Sequence, residues 1–259
     1  MIKFFRKIRQ RLLSENKFSK YLIYAIGEIV LVVFGILIAL QINNWNQTRI
    51  NKIIEIETLD NLRQDLGSAL TQLDIKIEQN YLNRTSDSIA LAIIHSKTVV
   101  STDSIFKLLL SHIFTPTFDP ELGTLTEILN TGKMEIIRSE PLRNHISSWN
   151  KYMDELDEID NRLIFLDDNI KTPLYSKYLP YRNSLNYVIN PNTNDVFKSG
   201  FGESNFQTDI ESFFYTLEVE NMLSNYYFYG TVQEIRLNDV KNKMTDMIAL
   251  IDKELKTVN

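Results

Sequence analysis

The sequence contains no cysteine, and this absence excludes several classes of protein at once. Without thiols there is no disulfide framework, no cysteine nucleophile, no zinc–thiolate site and no cysteine-ligated iron–sulfur cluster. The 259 residues include only 8 Gly and 6 Pro, which is too few for a turn-dense β-sandwich and typical of long helices. Because 44% of the residues are hydrophobic, the chain can still bury a core. We therefore predict an all-α fold.

Charge is also scarce in one stretch, since Glu28 is the single charged residue among residues 21–40. As a helix rising about 1.5 Å per residue, this stretch spans about 30 Å, the thickness of the hydrocarbon core of a bilayer. The apolar run is longer than that of a cleavable signal peptide, and no A-x-A cleavage site follows it. We therefore interpret residues 21–40 as an uncleaved transmembrane helix that acts as a signal anchor.

The net charge of −5 is unevenly distributed along the chain. Residues 1–20 carry +6, residues 21–40 carry −1 and residues 41–259 carry −10. Basic residues favour the cytoplasmic end of a span, so we expect a cytoplasmic N-terminus and an extracytoplasmic body. Residues 1–20 also form a basic amphipathic pattern. Next to a membrane span, this pattern favours contact with the anionic lipids of the bilayer over binding of nucleic acid.

The unusual residues of the predicted span recur at intervals of three and four residues, which places them on one helix face. We call this face the Glu28 seam; it consists of Ala25, Glu28, Val32, Gly35 and Ala39. Gly35 and Ala39 form a small-xxx-small pair that lets two helices approach closely. A charged carboxylate at the centre of a span costs about 2.5–3.5 kcal/mol, so Glu28 is expected to face protein or water.

The Glu28 seam has two possible interpretations. The first is a helix–helix contact, either with a second copy of the chain or with a membrane-embedded protein partner, in which Glu28 finds a hydrogen-bonding or cationic partner. The second is that Glu28 is protonated or reaches the cytoplasmic headgroups. We favour the contact, because the small residues and the carboxylate share the same face.

Two segments of the sequence resemble the signature of a known family. The first segment comprises residues 18–46 and includes Gly27-Glu28 and Asn43-Asn44-Trp45; the second comprises residues 122–143. Together they resemble an uncharacterised family of single-pass inner-membrane proteins of Gram-negative bacteria, which is classed as a domain of unknown function. The resemblance implies an inner-membrane anchor and a helical periplasmic domain, and it supplies no catalytic residue.

The extracytoplasmic domain, residues 41–259, is dominated by helical patterns. Residues 41–82 contain no proline and a single glycine, Gly67. We therefore expect the membrane helix to continue into an antiparallel helical bundle. Leucine and isoleucine recur there at 11-residue intervals, which describes a nearly straight helix with an apolar stripe on one side. For this stripe we favour packing in the core of the same chain over an intermolecular coiled coil. We predict further helices over residues 86–95, from Ser101 or Thr102 onward, over 121–129, over 142–170 and over 209–255, with a break or close packing at Gly230.

Residues 173–207 differ in composition and contain three prolines, many aromatic residues and a polar run. We predict an irregular excursion from the bundle here, anchored by aromatic rings. Tyrosine is favoured in ligand pockets and protein interfaces, so this region supplies a candidate binding surface. Its members are Tyr175, Tyr178, Tyr181 and Tyr187. Packing of the same rings in the core is the alternative.

The sequence contains no recognisable catalytic, metal-binding or cofactor-binding motif. The histidines, His95, His112 and His145, are too widely spaced for a local zinc pair. The acidic residues between 154 and 168 interleave with apolar positions, as in a solvated helix face. Residues 190–201 lack the Gly and Glu that would complete a calcium loop, and no P-loop, nucleophile elbow or dinucleotide fingerprint occurs. We therefore predict neither enzymatic activity nor a cofactor.

Three functions follow from these observations, in order of preference. The first is a membrane-anchored extracytoplasmic helical module that binds a protein partner or an envelope component. The second is a ligand-sensing accessory subunit that signals through a partner's output domain, since only about 20 residues lie in the cytoplasm. The third is an envelope-acting enzyme. A flat apolar patch would favour the first function, an apolar aromatic cavity the second, and a polar cleft with paired carboxylates the third.

Overall fold

A computed structural model of the protein describes residues 18–110, 115–184 and 202–256. These residues are helical apart from short connections, and no strand occurs among them. The predicted all-α fold is confirmed. Residues 1–17 of the basic segment, His112, Tyr187 and the polar run 190–195 lie outside the described residues.

The first helix, α1, extends from Phe18 to Ser96 and is 79 residues long. The predicted continuation of the apolar span into the body is confirmed. The helix continues because the intervening sequence contains no proline that would interrupt it. A separate helix over residues 86–95 was expected, and this prediction is wrong. The Thr85 hydroxyl donates to the carbonyl of Tyr81 at 2.8 Å within α1, so the polar residues there do not begin a new helix. The helix ends before Lys97, which has a left-handed backbone with φ 51°.

By its internal packing, the chain divides into two units between Glu57 and Thr58, within α1. In the first unit, the described part is helix alone. Among the described residues, α1 is the one helix long and apolar enough to cross a membrane, and none of the residues in its apolar stretch is buried.

The second unit contains the remaining helices and a core of its own. Its elements are α2 (Thr102–Leu109), α3 (Gly123–Asn130), a 3₁₀ turn (Lys133–Ile136), α4 (Glu140–Ser147), α5 (Trp149–Leu166), a π-helical turn (Asp167–Lys171), α6 (Thr172–Tyr178), α7 (Tyr181–Ser184), α8 (Ile210–Phe214) and α9 (Leu217–Lys256). The Ser101 side chain caps α2 by accepting a hydrogen bond from the backbone N–H of Ser104, as predicted. Gly132 has the predicted left-handed conformation after α3, with φ 75°.

The helix predicted over residues 142–170 is interrupted, and this prediction is wrong in two places. At Ser148 the backbone leaves the helical region, with φ −89° and ψ 0°. The hydroxyls of Ser147 and Ser148 both donate to the carbonyl of Asn144, at 3.1 and 2.8 Å, and so compete with regular helical bonding. The second interruption is the π-helical turn Asp167–Lys171.

Helix α9 runs antiparallel to both α1 and α5 within the second unit, as their cross-helix contacts show. Positions that ascend along α1 pair with positions that descend along α9: Arg63 with Asp252, Asp74 with Lys241, and Arg84 with Glu234. The same holds for α5, where Glu155 pairs with Arg236 and Asp160 with Gln233. The second unit is thus an antiparallel bundle whose central helix is α9.

Two apolar clusters form the core of this bundle. One cluster contains buried apolar residues of α1 between Leu59 and Leu73, of the N-terminal half of α5 and of the C-terminal half of α9. Residues of α3 and α4 complete it. The other contains Ala90 and Ile94 of α1, the end of α5 and the start of α9, together with α2, α6 and α8. The predicted stripe of α1 therefore packs against helices of the same chain.

A layer of buried polar side chains lies between the two clusters. The Asn80 amide donates to the Gly230 carbonyl at 2.9 Å and to the Gln233 side chain at 2.7 Å. Gln233 in turn donates to Asp160 at 2.6 Å and to the Pro116 carbonyl at 2.9 Å. The layer therefore joins α1, α5 and α9, and the buried side chains of Asn80, Gln233 and Asp160 all form hydrogen bonds.

Helix α9 passes through Gly230 without a break, and the alternative that we gave for this residue, close packing, is confirmed. A Cβ atom at position 230 would lie 2.9 Å from Cγ and 3.2 Å from Cδ of Arg84. The Arg84 side chain is held at 2.6 Å from Glu234 and donates to Asn80 at 3.0 Å. Glycine is therefore required here because α1 and α9 approach each other closely.

Candidate functional site

The Glu28 seam lies on an accessible helix surface. Val32, Gly35 and Ala39 are exposed, and Ala25 and Glu28 are half-buried. A Cβ atom on Gly35 would meet no atom within 4 Å, so the described chain leaves room for a second helix at this position. A contact along the Glu28 seam stays a prediction.

The tyrosines of the candidate binding surface occupy different environments. Tyr175 is 3% exposed and donates through its hydroxyl to the carbonyl of Leu109 at 2.8 Å. Burial raises the pKa of Tyr175 well above its ordinary value, so the ring is a neutral part of the core. Tyr178 is half-buried and stacks on Phe213 with ring centroids 4.6 Å apart. Tyr181 is exposed.

A groove of about 710 Å³ opens beside Tyr178, between α5, α6 and the beginning of α9. Its floor is formed by the buried side chains of Leu166, Phe213 and Met222, and its walls include Leu174 and Tyr178. This volume falls within the range of ligand pockets, about 300–1,000 Å³. The groove matches the apolar aromatic cavity that would favour a ligand-binding function.

The π-helical turn Asp167–Lys171 determines which side chains face the groove. A π turn accommodates an additional residue within a helix and shifts the faces that follow it. Phe165 and Leu166 before the turn, and Asn169 and Ile170 within it, line the groove. Asp167 and Lys171 instead enter the interior, where both are largely buried.

Asp167 organises the interior side of the turn. One of its carboxylate oxygens accepts hydrogen bonds from the Lys171 ammonium and from the Tyr226 hydroxyl, each at 2.5 Å. The other oxygen accepts a hydrogen bond from the Thr115 hydroxyl at 2.5 Å. Burial and the hydrogen bond to Asp167 raise the pKa of Tyr226, so that its hydroxyl stays protonated and donates. These contacts fix α5 and α9 on both sides of the groove floor.

A smaller cavity of about 360 Å³ lies on the interior side of the π turn and includes Asp167, Asp168 and Lys171 in its lining. Both oxygens of Asp167 are already engaged in the contacts above, so this carboxylate is held in place by the protein itself. Among the described residues, no group of three or more His, Asp or Glu side chains is arranged to hold a metal ion.

The rim of the groove is polar and carries two cations, Arg162 and Lys177. The Arg162 guanidinium lies over Phe165 and Tyr229, 5.7 and 5.3 Å from their ring centroids, and the Lys177 ammonium lies 5.0 Å from that of Tyr178. Within the described ranges, neither cation forms an ion pair with a carboxylate. The rim also presents the side chains of Asn169, Thr216, Glu218, Asn221 and Asn225.

The comparisons with known proteins identify a family. The sequence model of a family of unknown function, DUF6090, matches residues 28–157, half of the chain. The chain belongs to DUF6090. No curated protein and no solved structure matches it. The resemblance to a family of unknown function that we saw in the sequence is confirmed, whereas the inner-membrane and Gram-negative setting that it implied stays a prediction.

The position of the DUF6090 match separates the two candidate surfaces. The match begins at Glu28 and therefore contains most of the Glu28 seam. It ends at residue 157 in α5, before Arg162, so every residue that lines the groove follows the matched segment. The groove therefore cannot be inferred from membership in DUF6090.

Of the predicted binding surface, Tyr178 lines the groove. The rest of the groove was not predicted, although one signal was present in the sequence. Residues 163–166 are four consecutive apolar residues in a helix, more than a one-sided buried stripe requires. In the structure Leu163 and Leu166 are buried, whereas Ile164 and Phe165 are 39% and 50% exposed. Of these two exposed residues, Phe165 lines the groove.

Proposed function

We propose that this DUF6090 protein is a single-pass membrane-anchored interaction module. Its N-terminus lies in the cytoplasm, and its helical body lies outside the inner membrane of a Gram-negative bacterium. The observation that carries the proposal is the exposed apolar stretch of α1, which contains no buried residue and ends in an exposed Trp45. Exposed apolar helices of this length are stable in lipid, and tryptophan favours the membrane–water interface.

We further propose that the Glu28 seam mediates association within the membrane, with a second copy of the chain or with a protein partner. In lipid, helix association depends on close packing and on hydrogen bonds between polar side chains. Gly35 and Ala39 would supply the close approach, and Glu28 would supply the polar contact. Of the carboxylates that an envelope-acting enzyme could use, Asp160 accepts a hydrogen bond from Gln233 and Asp167 forms an ion pair with Lys171.

The topology can be tested with single cysteines, because the chain has none of its own. We expect Ser176→Cys, an exposed position on α6, to react with a membrane-impermeant maleimide in intact spheroplasts. Ser14→Cys in the basic segment should react only after lysis. Labelling of Ser14→Cys but not of Ser176→Cys in intact spheroplasts would reverse the proposed orientation.

Association along the Glu28 seam predicts a second result, in native membranes that contain the full-length chain. We expect chemical crosslinking to yield a defined higher-mass species, and expect Gly35→Leu or Glu28→Ala to reduce its yield at least fivefold. Gly35→Leu places bulk where helices would approach, and Glu28→Ala removes the polar contact. The yield would be measured by immunoblotting of the crosslinked membranes.

Two control variants distinguish the Glu28 seam from a general effect on the span. Val30→Leu adds bulk about half a turn away from the seam and should leave crosslinking unchanged. Glu28→Gln retains hydrogen-bonding capacity and should retain more crosslinking than Glu28→Ala. Unchanged crosslinking in both Glu28→Ala and Gly35→Leu would contradict the proposal.

A second candidate function, a ligand-sensing accessory subunit, is favoured by the groove between α5, α6 and α9. The groove combines an apolar aromatic floor with a polar rim, as ligand sites commonly do. In this candidate function, ligand binding in the groove would be signalled through the output domain of a protein partner.

A further inference from the structure

The groove between α5, α6 and α9 has separate apolar and polar parts. Its floor, formed by Leu166, Phe213 and Met222, offers side chains that can neither donate nor accept a conventional hydrogen bond, apart from the weakly accepting methionine sulfur. Phe165 and Ile170 extend the apolar surface and are 50% and 42% exposed. An occupant of this floor must therefore have an apolar body, since a polar body would lose its hydrogen bonds to water without replacement.

The side chains of the rim determine which charge on a bound molecule they would attract. Arg162 and Lys177 flank the groove, and among the described residues they contact aromatic rings rather than carboxylates. Glu218 is the one carboxylate in the described lining, so the rim has an excess of one positive charge. Three asparagines, Asn169, Asn221 and Asn225, lie on the same rim. The amides of Asn169 and Asn225 each donate one N–H to a backbone carbonyl, at 3.0 and 2.8 Å, and retain a second N–H. This combination of cations and amides is complementary to a single anionic group.

We propose that the groove binds a long-chain fatty acid. The hydrocarbon tail would cover the floor, and the carboxylate would lie at the rim beside Arg162 or Lys177. A flexible apolar tail with one charged end fits an open groove of about 710 Å³ whose polar groups are confined to its edge. The proposal goes beyond membrane anchoring and does not depend on the Glu28 seam.

The experiment uses the full-length chain in phosphatidylcholine nanodiscs and a fatty acid with a photoreactive diazirine in its tail. After illumination, labelled peptides are identified by mass spectrometry. We expect adducts on peptides that contain residues 162–178 and 213–225, and we expect excess oleate to reduce them at least tenfold. Adducts confined to the apolar stretch of α1 would show that the probe only partitions into the bilayer and would overturn the proposal.

Two variants alter the rim of the groove, and two control variants lie outside it. Asn221→Trp places a large ring on the groove edge and should lower labelling at least fivefold, whereas Ser224→Trp adds the same ring to α9 at an exposed position outside the lining and should not. Replacing both Arg162 and Lys177 by Gln should lower labelling about fivefold. Lys151→Gln, an exposed lysine of α5 outside the groove, should leave it unchanged.

The charge of the head group is tested separately with oleyl alcohol, which has the same tail and no carboxylate. We expect oleate to compete at least fivefold better than the alcohol. Equal competition, or equal labelling of Asn221→Trp and Ser224→Trp, would overturn the proposal. Far-UV circular dichroism, which measures the helix content, verifies that each variant is folded. Failure of the crosslinking along the Glu28 seam would leave these results unaffected, so the two proposals fail independently.

Discussion

Replacing Asp167 by alanine is expected to lower the free energy of unfolding by about 3 kcal/mol, the cost of breaking a buried ion pair from one side. The Lys171 side chain is only 7% exposed and lies 2.5 Å from Asp167. Tyr226 and Thr115 also donate to this carboxylate and would lose it as an acceptor. The variant therefore disturbs three partners on different elements of the fold.

The measurement is urea unfolding of the full-length chain in detergent, monitored by tryptophan fluorescence. The sequence contains two tryptophans, Trp45 and Trp149. A Trp45→Phe background leaves Trp149, which lies in the core of the second unit, as the single reporter. The variant should shift the midpoint to a lower urea concentration with little change in slope.

Asp103→Ala provides a matched control, because Asp103 and Lys107 form an Asp–Lys pair with the same i,i+4 spacing on an exposed surface. Its loss should stay below about 1 kcal/mol, as is usual for exposed pairs and helix-terminal charges. A double variant with Asp167→Leu and Lys171→Met should recover part of the loss, since it removes both charges. If Asp167→Ala and Asp103→Ala lowered the free energy of unfolding equally, burial would not be the reason that the Asp167–Lys171 pair stabilises the fold.

The second large effect concerns Asp160, which makes stability depend on pH. Burial raises the pKa of Asp160 to about 6, and the charges of Asp157 and Asp119 act in the same direction. Hydrogen bonds from Gln233 and from the Phe118 backbone oppose this rise without cancelling it. Because Asp160 is 5% exposed, its ionised form is poorly solvated in the folded state.

The direction of the pH effect follows from the raised pKa. Between pH 4 and pH 6 the folded protein holds more protons at Asp160 than the unfolded chain does, so stability falls as the pH rises. The contribution is fully present below pH about 4 and is lost as the pH rises through 6. We expect the difference in unfolding free energy between Asp160→Asn and the wild type to increase by about 2 kcal/mol in favour of the variant from pH 4 to pH 8.

Urea unfolding at pH 4, 6 and 8 would check this expectation, with the wild type and the variant compared at each pH so that other titrating groups cancel. Asp154→Asn, which replaces an exposed carboxylate on the same helix, is the control and should show a nearly constant difference. A constant difference for Asp160→Asn as well would mean that Asp160 ionises equally easily in the folded and unfolded chain.

The features that depend on local patterns could be predicted from the sequence. The continuation of α1 beyond the apolar stretch followed from the absence of proline, although its extension to Ser96 was missed, and the cap at Ser101 followed from the preference of serine for that position. The break at Ser148 was missed, because serine is acceptable within a helix and its hydroxyl bond to Asn144 depends on local geometry.

The missed parts of the site depend on contacts between residues that are distant in sequence. Asp160 occupies a position compatible with the buried stripe of α5, yet its partner Gln233 is 73 residues away. The acidic residues of this region were predicted to form a solvated face. This prediction is wrong for Asp160, which is buried, and for Asp167, whose side chain is 17% exposed. The groove likewise needs α6 and α9 together, and the π turn that aligns them alters the helix by a single residue.

The polar layer of Asn80, Asp160 and Gln233 also fixes the register of the bundle. Apolar side chains accept many neighbours, so a slide of α9 by one helical turn, about 5.4 Å, would still bury leucine and methionine against α1. The same slide would separate Gln233 from both of its side-chain partners. Each buried polar group left without a partner costs about 1–3 kcal/mol, so a shifted alignment of α9 would be less stable by at least this amount. The layer therefore selects the native alignment against neighbouring arrangements that the apolar core alone would tolerate.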